Sequence, residues 1–214
     1  MPSPRKGRLT DSAKMLHPDT ELRFVNDVIG YGVFATRLIP KGYITWVLDP
    51  LDRAFDDEAV SRLDDELRRA IEKYSWRDRD GYRVLCWDFG RYMNHSCDAN
   101  SLSPGLDFEI AVRDVAPGEE LTCESGALNL ETTLECLCGC ANCRRIIRPE
   151  DFERYAERWD SLIRDAFPLI ARCPQPLWSL VREKSEVAEA ILNPESIPSI
   201  LTHRHSQEPA LMAG

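Results

Sequence analysis

Residues 91–97 read Arg91-Tyr92-Met93-Asn94-His95-Ser96-Cys97. Asn94 to Cys97 set an amide, an imidazole, a hydroxyl and a thiol in four successive positions. Buried polar groups need partners, so this run makes a poor core strand and a good lining for a polar pocket. A Cys-His nucleophile stays open on chemistry alone, although adjacent residues of an extended chain point to opposite faces; a hydrogen-bonded structural histidine stays open as well. Downstream, Cys136-Leu137-Cys138-Gly139-Cys140-Ala141-Asn142-Cys143 crowds four cysteines into eight residues. Near-neighbour cysteines seldom meet disulfide geometry, so the run reads as a metal site, and tetrahedral zinc on thiolates suits a reduced compartment. Four ligands this close can scarcely all wrap one ion, so one from elsewhere is expected, and Cys97 is the natural candidate. Upstream, Gly30-Tyr31-Gly32-Val33-Phe34-Ala35 leads into a β-like run that stops at Pro40, which removes the dinucleotide-loop reading. Two readings of the glycines remain: a tight turn needing positive φ, or the removal of bulk where a ligand approaches the backbone.

The chain has 214 residues, 43% hydrophobic and 29% charged, enough for one generous domain or a domain with an appendage. A net charge of −9 argues against unaided binding to nucleic acid and suits a cationic partner. The first residues carry no apolar signal segment and no apolar run approaches the ~18 residues of a membrane span, so no membrane partner is expected. With eight cysteines read as reduced thiols, the expected location is intracellular, cytoplasmic first, with the nucleus or a host-cell interior as alternatives.

Residues 1–14, with Arg5, Lys6, Arg8 and Lys14 against Asp11, read as a flexible basic tail. Short β-like runs follow at Leu22–Val25, Val33–Thr36, Tyr43–Leu48, Tyr82–Trp87, Phe108–Val112 and Glu120–Cys123, separated by turns such as Pro40-Lys41-Gly42 and Pro117-Gly118. Few helices separate them, so a doubly wound parallel sheet is not expected. One helix interrupts the strands, with Val60, Leu63, Leu67, Ala70, Ile71 and Tyr74 at helical spacing behind the candidate caps Asp56 and Asp57. Asp49 to Glu66 holds eight acids and two arginines, net −6, which by pattern alone is a solvated helix face. Pro149-Glu150-Asp151 opens a second amphipathic helix through Phe152, Tyr155, Trp159, Leu162, Ile163 and Phe167; a third is expected over Leu177–Leu192, and a flexible tail from 194 to 214.

In this order and spacing the motifs resemble the SET domain family of protein lysine methyltransferases followed by a post-SET zinc segment. The resemblance runs from about Phe24 to Arg145. It rests on residues 30–35, on Ile-Pro-Lys-Gly at 39–42, on 91–97, on Ala-Val-Arg-Asp-Val-Ala-Pro-Gly-Glu-Glu-Leu-Thr at 111–122, and on the cysteine run ending at Cys143. It implies a mainly β fold of small curled sheets, with residues near 121–126 threaded through a loop around 94–100 in a pseudoknot-like way, plus a C-terminal helical extension. The implied layout is a SET domain at 15–130 with the acidic insert at 49–74, a post-SET segment at 131–148 and the extension at 149–193. The family binds S-adenosylmethionine in one cleft and a peptide in another. The cofactor contacts carried over are Gly30, Tyr31, Gly32, Arg91, Asn94 and His95; the structural zinc ligands are Cys97, Cys136, Cys138 and Cys143, leaving Cys140 spare. The acidic insert falls where the family lines its peptide groove, so a lysine-containing basic protein or peptide is the implied partner.

The family usually carries a tyrosine just past Glu-Glu-Leu-Thr, where its hydroxyl orients the amine. Here Ser125 stands at that place. Tyr92, Tyr43 or Tyr82 from another strand, or a water on Ser125, are the candidate substitutes, so Ser125 and Tyr92 are the catalytic candidates. Two expectations follow: a lysine methyltransferase, or a catalytically impaired module that binds cofactor or a basic peptide.

Overall fold

The computed structural model describes residues 15–205. The predicted basic tail at 1–14 lies outside the described residues, as do residues 206–214 of the predicted C-terminal tail.

In chain order the strands and helices are β1 (Thr20–Asn26), β2 (Gly30–Ala35), β3 (Ile44–Val47), β4 (Arg53–Phe55), α1 (Asp57–Ser61), α2 (Asp65–Tyr74), β5 (Ser75–Arg77), β6 (Arg83–Leu85), β7 (Asn94–His95), β8 (Ser101–Leu102), β9 (Phe108–Ala111), β10 (Glu120–Cys123), β11 (Leu134–Glu135), β12 (Ile146–Ile147), α3 (Asp151–Ala166) and α4 (Lys184–Leu192). They build a four-stranded sheet ordered β1-β2-β10-β7, two three-stranded sheets ordered β3-β9-β8 and β4-β6-β5, and the pair β11-β12.

The β3-β9-β8 sheet divides two cores, because side chains alternate across a strand. Phe108 and Ile110 face a core shared with Phe152, Trp159, Ile163 and Phe167 of the C-terminal helical part. Ala111, with Trp46 of the paired strand, joins a second core with Leu16, Val33, Ile39 and Leu121. The helical extension thus packs its apolar stripe on the β body. β10 lies between β2 and β7, antiparallel to the first and parallel to the second. From the loop after β7, Asn100 accepts the Thr122 N–H and donates to the Glu120 carbonyl, so the 94–100 loop grips β10 on more than one side. At the Pro-Lys-Gly turn Gly42 has φ +89°, and a Cβ there would stand 2.4 Å from Leu169 Cβ; turn and helix packing both exclude a larger residue.

Several expectations are corrected. The helix expected across Val60–Tyr74 is two helices, because Asp64 caps a second start by accepting the Leu67 N–H while Asp56 caps the first. Leu67 is consequently exposed. The third helix begins at Lys184 instead of Leu177. Strands β4 and β5 have too little alternation to be read from sequence and exist through pairing with β6. Residues 194–205 do not hang free: Ile200 is buried and its N–H donates to Asp160, while Asn129 donates to the His203 carbonyl and accepts the His205 N–H. Among the described residues, no helix is long and apolar enough to cross a membrane.

Candidate functional site

The Asn-His-Ser-Cys segment sits between two regions. On one side β2 starts from a turn at Gly30, where φ is +86°. The Asn94 amide donates to the Tyr31 carbonyl at 3.0 Å and to Glu120 Oε1 at 2.7 Å. A Cβ on Gly32 would lie 2.2 Å from Glu120 Oε1 and 2.9 Å from Asn94 Nδ2. The glycine at 32 therefore makes room for a carboxylate of the chain itself, and the glycine at 30 serves the turn. Tyr31, Gly32, Asn94 and Glu120 come together here, with Gly30 at the strand's start. Tyr31 is exposed and stands edge-on to Phe24 and Tyr92.

On the other side lies a cavity of about 670 Å³ whose wall includes Trp46, Trp76, Arg91, Glu109, Cys123 and Ser125. Ser125, the serine that stands at the family's tyrosine position, lies in this wall. Tyr92 is not in this wall; it packs edge-on against Tyr31 and Tyr74, and Tyr74 reaches the cavity. Tyr43 packs on His17, and Tyr82 is exposed. Arg91 lies in the cavity wall with its guanidinium over the Tyr92 ring.

Glu109 is the residue the sequence reading missed. Its Oε2 accepts from Ser101 Oγ at 2.6 Å, and Ser101 Oγ is 2.6 Å from Thr45 Oγ1. Burial raises its carboxyl pKa to about 7, with the Ser101 hydrogen bond pulling the other way. The signal was present: a lone acid within Phe108-Glu109-Ile110-Ala111, on the face of the strand opposite Phe108 and Ile110.

Below this cavity the cysteines meet. Cys97 Sγ is 3.6 Å from Cys136 Sγ, Cys143 Sγ is 3.5 Å from Cys136 Sγ, and Cys138 Sγ is 3.5 Å from Cys140 Sγ. All eight thiols are free. Thiolates at ~2.3 Å from one tetrahedral zinc stand roughly 3.8 Å apart, so the spacing and softness of this donor set fit zinc. The potential ligand atoms of His95, Cys97, Cys136 and Cys138 all lie within 4.8 Å of one another. His95, however, accepts the Ser125 N–H at Nδ1, which assigns its proton to Nε2, 3.3 Å from Cys97 Sγ. The imidazole is therefore a donor to the thiol and not a ligand in this arrangement. Burial and the nearby Arg144 charge lower its pKa to about 4. Arg144 ties the cluster to the cavity side: its backbone N–H and Nε both reach Cys97 Sγ at 3.3 Å, and its guanidinium pairs with Glu124 and Asp151. Cys143, a member of the expected ligand set, is not in that mutually close group, and Cys140, spare by spacing, lies beside Cys138.

Residues 30–124 match the family model of the SET domain, and this body of small sheets with its appended helices has the SET-domain fold. Over 137 residues the chain is 28% identical to histone-lysine N-methyltransferase mes-4 of Caenorhabditis elegans, covering 53% of this chain and 15% of that protein. Over 129 residues it is 29% identical to the variant-silencing SET domain-containing protein of Plasmodium falciparum, covering 53% and 5%. The chain thus spans only a small part of the length of these two relatives. Among solved structures, it is similar to the methyltransferase domain of human histone-lysine N-methyltransferase SETMAR, with 20% identity, a TM-score of 0.42 and coverage of 60% of this chain and 57% of that one. It is also similar to KRYPTONITE in complex with mCHG DNA and SAH, with 21% identity, a TM-score of 0.41 and coverage of 57% and 27%.

Proposed function

We propose that this protein is an S-adenosylmethionine-dependent methyltransferase acting on a lysine side chain of a basic protein segment, histone lysine being the substrate named for the relative mes-4. The observation that carries the reading is a cavity bounded by Ser125 and Glu109 on one side of Met93–Asn94, with the Gly30–Gly32 strand end, Asn94 and Glu120 on the other. A glycine-bounded strand end beside an amide, a carboxylate and an exposed tyrosine fits a ligand with ammonium and sulfonium charges. When bound, the cofactor supplies a methyl group on positively charged sulfur. The chain's own part is to hold the target side chain in line and lower its amine pKa from ~10.4 by desolvation in the cavity.

Cys97, Cys136, Cys138 and Cys143 would hold one structural zinc with no open position, clamping residues 136–145 beneath the His95–Ser125 contact. No step of the transfer needs the metal. The reading makes the protein an intracellular one, in the cytoplasm or the nucleus.

Incubation with labelled S-adenosylmethionine and a panel of histones and other basic proteins tests it: label transferred to lysine supports the reading. Cofactor binding without transfer to any of them favours the second reading, an impaired binding module, which the serine at 125 supports.

A further inference from the structure

Five acids line or edge the cavity, and their pairing differs. Asp107 pairs with Arg79, Glu124 with Arg144, and Glu131 with Arg77 and Arg83, while Glu72 is exposed on α2. Glu109, deep in the wall, has no cation partner among the described residues. Its single hydrogen bond occupies Oε2, leaving Oε1 to the cavity. The Thr45 and Ser101 hydroxyls behind it are buried, so the carboxyl is held from the back by a two-hydroxyl relay and is open at the front.

The neighbouring wall is aromatic. Trp46 sits opposite Glu109 in the β3–β9 register, and its indole stands edge-on to Trp76 at 6.5 Å. The Trp46 Nε1–H is buried with no acceptor. Two indoles and an unpaired carboxylate around one space form a receptor for an organic cation: ring faces attract the charge, and the carboxylate neutralises it and accepts its N–H bonds.

We propose that Glu109 is the ammonium-recognising residue of this cavity, its Oε1 accepting from an alkylammonium group enclosed by Trp46 and Trp76. This assignment rests on the methyltransferase reading for its biological ligand, the target lysine. It gives the site a charged group to orient the amine where Ser125 leaves no phenol to do so. A carboxylate also makes the site selective for cations over neutral chains of the same length, which a phenol alone does weakly.

The test uses the full chain and a lysine side-chain mimic, n-butylammonium chloride, followed by shifts of the tryptophan indole N–H resonances at pH 8, with 1-pentanol as the neutral control. The wild type should bind the ammonium in preference to the alcohol. Glu109→Gln, which keeps the shape, should weaken ammonium binding about ten- to a hundredfold and leave the alcohol unchanged. Equal binding of both probes by the wild type, no binding of either, or an unaltered affinity in Glu109→Gln overturns the proposal.

If Glu109→Gln does not fold, the wild type still decides, through its pH profile. Cys86 and Cys123 beside Glu109 are pushed well above the ordinary thiol range by burial and stay neutral, and the Arg91 guanidinium lies in the same wall. Burial raises Glu124 as well, and it lowers His203 in the same wall. Asp52, beyond Cys86, is raised to about 6 by burial. Ammonium binding should strengthen as pH rises through about 7 and then level, the range in which burial sets Glu109; a flat profile overturns the proposal. Calorimetric titration with S-adenosylhomocysteine separates the two readings. Cofactor binding without ammonium binding removes Glu109 from its role and leaves the methyltransferase reading intact, while ammonium binding without cofactor binding does the reverse.

Discussion

Arg144→Ala should destabilise the protein by about 3–5 kcal/mol, the usual cost of removing one partner from a buried ion pair. The Arg144 side chain is 12% exposed, and those of Glu124 and Asp151 are each 2% exposed, so water cannot replace the lost guanidinium. The contact to Glu124 Oε1 is 2.5 Å, that to Asp151 Oδ2 is 3.3 Å, and the guanidinium carbon lies 4.9 Å from the Tyr155 ring centroid. Alanine removes all three and leaves two carboxylates facing each other in the interior. For a chain of this size the loss corresponds to a drop in Tm of about 6–20 °C.

The loss should also depend on pH. Burial already raises the Glu124 pKa despite the compensating charge of Arg144, and without that charge it rises further. Above the raised value the folded mutant carries a buried unpaired carboxylate, which is the full penalty. As pH falls through it, the folded state takes up a proton more readily than the unfolded one and the penalty shrinks. Urea unfolding of wild type and mutant at pH 7.5 and pH 5 measures both effects. A loss below about 1 kcal/mol, or one equal at the two pH values, would refute the account of Arg144 as the charge that balances this interior. Adding Glu124→Gln and Asp151→Asn to Arg144→Ala should recover much of the loss, because uncharged amides cost far less to bury.

Cys97→Ser should lower bound zinc measured by atomic emission and weaken cofactor affinity with it; unchanged zinc content would remove Cys97 from the ligand set. Ser125→Tyr should raise methyl transfer, by on the order of 10²- to 10³-fold if the missing phenol is the only deficit, and no gain points to a different source of orientation. Asn129→Ala loses hydrogen bonds to the Arg77 carbonyl, the His203 carbonyl and the His205 N–H, and puts alanine at φ 52°, so a loss of about 3 kcal/mol in thermal or urea unfolding is expected. Truncation after Arg148 strips Phe152, Trp159, Ile163 and Phe167 from the core that holds Phe108 and Ile110, and it should abolish cooperative unfolding followed by circular dichroism.

Local patterns carried much of this fold. The run Glu120–Cys123 is a strand at those residues, and Asp151–Ala166 is one amphipathic helix, because a period of two or of 3.6 shows in the residues themselves. Where patterns were short they failed: β4 and β5, three residues each, exist only because β6 runs between them. The acid at Asp64 could have announced a second helix start, since it repeats the cap chemistry of Asp56.

The sequence by itself determined the family resemblance, the convergence of Cys97 with the 136–143 cysteines as a candidate metal set, and the departure at Ser125, since each is a matter of residue type and spacing. Only the tertiary structure decided that Tyr92 stands outside the cavity while Glu109 stands within it. The same is true of the glycine at 32, which yields space to Glu120, and of Arg144, which joins the cysteine cluster to α3. Those facts depend on which face of a strand meets which neighbour across tens of residues, and a one-dimensional pattern carries the alternation of faces but not the identity of what lies opposite.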